Sequence, residues 1–231
     1  MSGKEPYIKV TKDGPYLVYG IKDISEKTIL TDEDGISIKY GDGQTFEIKT
    51  DPVALCRCGS SKNAPFCDGA HVAAKFDGKE TAEFTPILDG AEAIKGPHYT
   101  LMDNEKYCAF ARFCDAKGRV WNLVGIGGKE TDEWAIKGAC DCPAGRLIML
   151  DKKGKQIEEK YPLSIAALED GGLKISGPLW VRGGIRVESA DGKSYEVRNR
   201  QTLCRCGASR HKPFCNGAHA PMRFKAEKKA G

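Results

Sequence analysis

The chain has 231 residues, 40% of them hydrophobic and 8% aromatic, with 27 glycines. That is room for one large domain or two to three small ones, built from turns and short strands more than from long helices. The net charge of +4 comes from 36 basic and 32 acidic residues, and no basic stripe interleaved with aromatics supports nucleic-acid binding.

The amino end, "MSGKEPYIKVTKDG", lacks the apolar core of a signal peptide. No stretch approaches the roughly 18 apolar residues of a membrane span. The expectation is a cytoplasmic protein in a reducing compartment, away from membranes. There, ten cysteines are more readily metal ligands than disulfides.

In chain order, "KDGPYLVYG" (Lys12 to Gly20) reads as a Gly-Pro turn entering an alternating strand. "DEDGISIKYGDGQ" follows as a hairpin, and "FEIKTDPVALCRCG" leads into "CRCGSSKNAPFCDGAH" from Cys56 to His71. In the middle, the apolar spacing of Tyr107, Phe110, Ala111 and Cys114 reads as helical. On a continuous helix Cys108 and Cys114 would sit some 120° apart, so they share a centre only if the helix ends between them or the segment is a loop. "GIGGKE", from Gly125, lacks the strand-to-helix context of a phosphate loop and reads as a turn. "TDEWAIKG", from Thr131, reads as a short helix with a terminal glycine. "CDCPAGRL" then supplies Cys140 and Cys142, with a strand "RLIML" and a turn "DKKGK" behind it.

The opening pattern then returns. "ISGPLWVRG" (Ile175 to Gly183) parallels the first Gly-Pro strand, "YEVRNRQTLCRCG" the second lead-in, and "CRCGASRHKPFCNGAH" (Cys204 to His219) the ligand loop. Tyr16, Trp180 and Tyr195 are expected on strands in the core, and the tail "RFKAEKKAG" as a solvated end. Two outer β-rich modules, residues 1–85 and 166–231, thus flank a middle segment, residues 86–165, that the repeat does not contain.

In the outer modules the two cysteines of C-x-C in an extended segment face one side and can reach one ion, while Arg57 points away. "PFCDGAH" reads as the start of a short helix placing Cys67 and His71 four apart on one face. Two such pairs suit a two-iron cluster. A zinc site of three cysteines and one histidine has the correct ligand count too, although zinc knuckles usually use C-x2-C. His98 reads as a loop residue. His211 has Asn63 at its place in the first copy, which argues against a ligand role.

The pattern C-x-C-x2-S-x3-P-x-C-D-G-x-H resembles that of the CDGSH iron-sulfur family. Cys56, Cys58, Ser61, Pro65, Cys67, Asp68, Gly69 and His71 match it throughout, as do Cys204, Cys206, Ser209, Pro213, Cys215, Gly217 and His219, with Asn216 in place of the aspartate. The resemblance implies one [2Fe-2S] cluster per motif, held by three cysteines and one histidine, and a pseudo-dimer of the two modules. Cys108, Cys114 and Cys142 resemble the cysteines of a divergent ferredoxin-like α+β domain carrying one [4Fe-4S] cluster, with Cys140 an available fourth ligand. A zinc site, or cysteines without metal, remains open there. The expected fold is mainly β with short helices (α+β).

A neutral imidazole ligand raises a cluster's potential above the all-thiolate level and makes it sensitive to protons. Electron transfer with redox partner proteins is the leading functional expectation. Cluster donation to apo-protein acceptors, redox or pH sensing, and a structural zinc protein are the alternatives. No catalytic constellation is visible, so no enzymatic activity is expected.

Overall fold

The computed structural model describes residues 5–228. Its strands are β1 (Tyr7–Val10), β2 (Tyr16–Tyr19), β3 (Asp23–Thr31), β4 (Ser37–Glu47), β5 (Val53–Leu55), β6 (Glu92–Lys95), β7 (Thr100–Asp103), β8 (Leu147–Leu150), β9 (Ser164–Asp170), β10 (Ile175–Arg182), β11 (Arg186–Glu188) and β12 (Arg200–Leu203). The α-helices are α1 (Ala70–Ala73), α2 (Val120–Ile126) and α3 (Lys129–Cys140). The α+β class, dominated by strands, agrees with the sequence.

The repeat is visible in the pairing. In the first module the Gly-Pro strand β2 pairs with β1 and β5, and Tyr16 faces Leu55. In the second, β10 pairs with β9 and β12, and Leu179 faces Leu203 at the same register. Each module then completes its sheet with a strand of the other: β11 runs parallel beside β1, and β3 parallel beside β9. The resulting orders, β11-β1-β2-β5 and β12-β10-β9-β3-β4, are the same apart from the extra edge strand β4. That strand is the second arm of the hairpin expected at "DEDGISIKYGDGQ". The pseudo-dimer is therefore a reciprocal exchange of strands, which joins the two modules by backbone hydrogen bonds as well as by side chains.

Ile8, Val10, Tyr16, Val18 and Leu55 from one module share a buried core with Leu179, Val181, Ile185, Val187 and Phe214 from the other. Tyr16 lies on a strand in that core and Trp180 on a strand in a separate buried cluster with Ala166 and Leu168, whereas Tyr195 is buried but follows an isolated bridge at Ser194.

The middle segment has its own antiparallel sheet, β6-β7-β8, covered by α2 and α3. Its cysteine-bearing stretch is not a helix. A single 3-10 turn over Glu105–Tyr107 gives way to extended Cys108, and Phe110 and Arg112 adopt left-handed backbone before a second 3-10 stretch, Phe113–Gly118. The helix in "TDEWAIKG" is longer than expected, running through Gly138 to Cys140. Gly138 does not end it: a Cβ there would lie 2.5 Å from Val120, so the glycine allows α3 to pack against α2. The tail is also more anchored than expected. Phe224 is buried, its amide donates to the His219 carbonyl, and Ser176 receives the Ala226 amide. Residues 229–231 lie outside the described residues. Among the described residues, no helix is long and apolar enough to cross a membrane.

Candidate metal centres

Both ligand loops are tied by the same hydrogen bonds. The Cys56 amide donates to Pro65 and the Cys67 amide to Ala54; Cys204 donates to Pro213 and Cys215 to Thr202, all at 2.8–2.9 Å. Ser61 Oγ donates to the Phe66 carbonyl at 2.7 Å and accepts the Asn63 amide at 3.0 Å. Ser209 repeats both contacts with Phe214 and His211 at the same distances. Isolated bridges between Leu55 and Phe66, and between Leu203 and Phe214, pin the two ends of each loop together.

The donors emerge as two close pairs in each module. The sulfurs of Cys56 and Cys58 are 3.8 Å apart, and those of Cys204 and Cys206 are 3.7 Å apart. Cys67 Sγ lies 3.5 Å from His71 Nδ1, and Cys215 Sγ lies 3.5 Å from His219 Nδ1. A tetrahedral ion with metal–sulfur bonds of about 2.3 Å requires its two sulfurs about 3.8 Å apart, and slightly less for a sulfur–nitrogen pair. Each pair is thus spaced as one edge of a tetrahedron. Among the described residues, no three His, Cys, Asp or Glu side chains gather closely enough to hold one ion.

The local route differs from the expected helix. Helix α1 begins only at Ala70, after left-handed Gly69, so Cys67 precedes it. The second loop makes turns at the corresponding residues. Asp68 and Asn216 accept the Ala70 and Ala218 amides at 3.1 and 3.2 Å, and Asp68 also accepts from Lys62 at 2.8 Å. Those two amides hold the Asp68 carboxyl below its usual range, keeping it charged beside the first site.

The arginine inside each C-R-C is buried in both copies, which the sequence reading of Arg57 as pointing away from the sulfurs does not specify. Arg57 donates to the carbonyls of Thr11 and Gly78 between the rings of Tyr16 and Phe76. Arg205 donates to Gly177 and Leu168 and pairs with Glu169 at 2.9 Å. Arg205 thus fastens its ligand turn to β9 and β10, and Arg57 fastens its own to the loops at Thr11 and Gly78. A charged residue at an identical place in both repeats was the signal in the sequence.

The two sites face each other across the pseudo-twofold. Gly59 and Gly207 both have positive φ, and a Cβ on either would lie 2.7 and 2.5 Å from the carbonyl of Cys206 and Cys58 respectively. Tyr16 of the first module donates to Cys204 and Pro213 of the second, at 2.8 and 2.9 Å.

Their surroundings differ. Cys204, Cys206, Cys215 and His219 are 1%, 8%, 2% and 4% exposed, whereas Cys58, Cys67 and His71 reach solvent. Burial pushes the Cys56 thiol up to about 11 and raises Cys215 further. Cys204 and Cys206 share a hydrogen bond that eases ionisation of Cys204 and suppresses that of Cys206. Binding a metal must therefore displace protons from these thiols. Burial, with Arg205 next, holds His219 down at about 4, so its imidazole is neutral and able to ligate near neutrality.

In the middle domain Cys108, Cys114 and Cys142 line one small cavity closed by Pro143, Arg146 and Leu147. Cys140 is not with them. It is the last residue of α3, and its thiol lies against the Ile157 carbonyl at 3.4 Å. Residues two apart on a helical turn diverge by about 200°, so this C-x-C cannot act as its counterparts on bends do. Burial and then the neighbouring Cys142 raise the Cys114 thiol to about 12. His98 contacts Asp132 at 2.7 Å, and His211 packs edge-on against Tyr107, both away from the paired donors.

Two matching sets of thiol and imidazole donors on strand-exchanged modules define a twin-site metal-binding protein. The family described as iron-binding zinc finger CDGSH type matches residues 13–72 and 176–220, which contain all eight of these donors. The chain therefore carries two CDGSH iron-sulfur domains in tandem. The middle segment lies outside the matched regions. No curated protein and no solved structure matches the chain significantly.

Proposed function

We propose that the protein is an electron carrier with a [2Fe-2S] cluster in each CDGSH site and a third cluster in the middle domain. The observation that carries the reading is the division of each donor set into two pre-spaced pairs. Cys56 with Cys58, and Cys204 with Cys206, would hold one iron of each cluster. Cys67 with His71, and Cys215 with His219, would hold the other through Nδ1. Such a cluster supplies reversible one-electron chemistry, at a potential raised by the neutral imidazole.

The third cluster, of [4Fe-4S] type or similar, would take Cys108, Cys114 and Cys142, with its fourth position not supplied by Cys140. Ten unpaired cysteines suit a reducing, cytoplasmic setting. The partners would be redox proteins, and the protein itself a carrier, not an enzyme.

A second reading, cluster donation to apo-proteins or redox sensing, is favoured by the exposure of the first site alone. Redox titration of the anaerobic protein, with iron measured before and after, separates the two. Repeated one-electron cycling with iron retained supports the carrier. Loss of iron on each cycle, with colour appearing on an added apo-ferredoxin, replaces it with the donor.

A further inference from the structure

The two CDGSH sites have the same donors, and one stretch of the middle domain makes their surroundings different. Cys108–Arg112 runs across the second site. A Cβ on Gly217 would meet the Cys108 carbonyl at 3.1 Å and Phe110 Cβ at 3.5 Å, whereas one on Gly69, its counterpart in the first site, has nothing within 4 Å. The covering stretch has little regular structure to hold it, and Phe110 and Arg112 sit at φ of 55° and 60°. Left-handed backbone at non-glycine residues is unfavourable and persists where contacts enforce it.

The enforcing contact is an ion pair. Arg112 donates Nη1 to Asp170 Oδ2 at 2.7 Å and Nη2 to Oδ1 at 3.2 Å, a bidentate fork between the middle domain and the end of β9. The two side chains are only 17% and 5% exposed. Arg112 also donates back to the Phe110 carbonyl at 3.2 Å and lies over the Phe110 ring, so one guanidinium both folds its own loop and fastens it. Asp170 is held in turn by the Leu173 amide at 2.9 Å.

We propose that the Arg112–Asp170 pair is a latch holding Cys108–Arg112 over the second CDGSH site, so that this site retains its metal while the uncovered first site exchanges. Arg112 is a positioning residue and not a ligand. The proposal rests on both sites being metal-loaded. It assigns contact with outside partners to the first site, around His71 and Asp68, and makes the second an internal site. If the exchanged species is a whole cluster, the acceptor takes it from the first site.

The test is metal retention in the full-length protein as purified, with metal content measured first. A strong iron chelator and a thiol-alkylating reagent are added together, and cysteine-resolved mass spectrometry follows Cys56, Cys58 and Cys67 separately from Cys204, Cys206 and Cys215. In the unmodified protein the first set should label well ahead of the second. Arg112→Ala and Asp170→Asn should speed labelling of the second set by about tenfold or more, because a partly buried pair is broken and local opening becomes easier. Arg112→Lys should restore part of the protection. Labelling of the first set is the internal control and should not change.

Equal labelling of both sets in the unmodified protein would overturn the proposal. So would latch variants that leave the second set protected, or that speed both sets alike, which would be general loosening of the fold. A zinc-loaded protein would end the iron-sulfur reading but not the latch, since protection of the second set is then read with a zinc chelator.

Discussion

Tyr16→Phe removes one oxygen and should weaken the second site from the opposite module. The Tyr16 hydroxyl is fully buried and donates to the Cys204 and Pro213 carbonyls at 2.8 and 2.9 Å. Burial raises its pKa well above the ordinary phenol value, so it remains a donor throughout the accessible pH range. Pro213 keeps the Cys204 amide as a partner, whereas the Cys204 carbonyl loses the hydroxyl. A buried carbonyl left without its donor costs about 1–3 kcal/mol. For a chain of this size, 2 kcal/mol corresponds to roughly 4–8 °C in Tm.

The assay is denaturation of the anaerobic, metal-loaded protein, followed by visible absorption and by far-ultraviolet circular dichroism. The visible signal should be lost earlier in the denaturation than in the unmodified protein. Tyr19→Phe is the control, because the Tyr19 hydroxyl makes no hydrogen bond among the described residues. A Tyr16→Phe stability within about 0.5 kcal/mol of the unmodified protein, the range of neutral surface changes, would refute the argument that the first module holds the second module's site.

Arg200→Ala should loosen the middle domain, because Arg200 pairs with Glu158 and donates to the Cys142 and Leu147 carbonyls at 2.7 and 3.2 Å. Breaking that buried pair costs about 3–5 kcal/mol and should appear as faster alkylation of Cys142. His71→Cys and His219→Cys should each lower the potential of the altered site and make its cluster resist mild acid; an unchanged midpoint in redox titration would remove the histidine from the ligand set. With Asp68 charged beside the first site and neutral Asn216 beside the second, the second potential should be the higher, and Asp68→Asn should raise the first towards it. In the metal-free chain, His219 has a folded pKa of about 4, below the roughly 6.5 of an unfolded histidine. The unfolded chain therefore takes up a proton that the folded chain refuses, and stability should fall as pH drops from about 6.5 towards about 4. Urea denaturation across that range should show the fall, and His219→Asn should flatten it.

The eight CDGSH donors were legible because a ligand pattern survives changes in the path between ligands. Cys67 and His71 meet although α1 starts at Ala70, and Cys56 and Cys58 meet on a bend and not on a strand. The repeated Gly-Pro strands and the inserted hairpin were legible for a related reason: alternation and turn residues are local signals. The exchange of β3 and β11 was not, because strand partners far apart in sequence leave no local mark. Cys140 misled because C-x-C on a bend and C-x-C at a helix end look alike, and whether Gly138 ends or continues α3 is decided by its contact with Val120. Arg112 and Asp170 are 58 residues apart and join only once the middle domain has docked. Nothing in their neighbouring residues announces that pair.

The most direct test of the account is analysis of iron, acid-labile sulfide and zinc in protein purified without air, with its visible spectrum. The account predicts a coloured protein with about eight irons per chain and matching sulfide, from two two-iron clusters and one four-iron cluster. About four irons would keep the two CDGSH clusters and remove the third, and a colourless protein holding zinc would contradict the redox reading altogether.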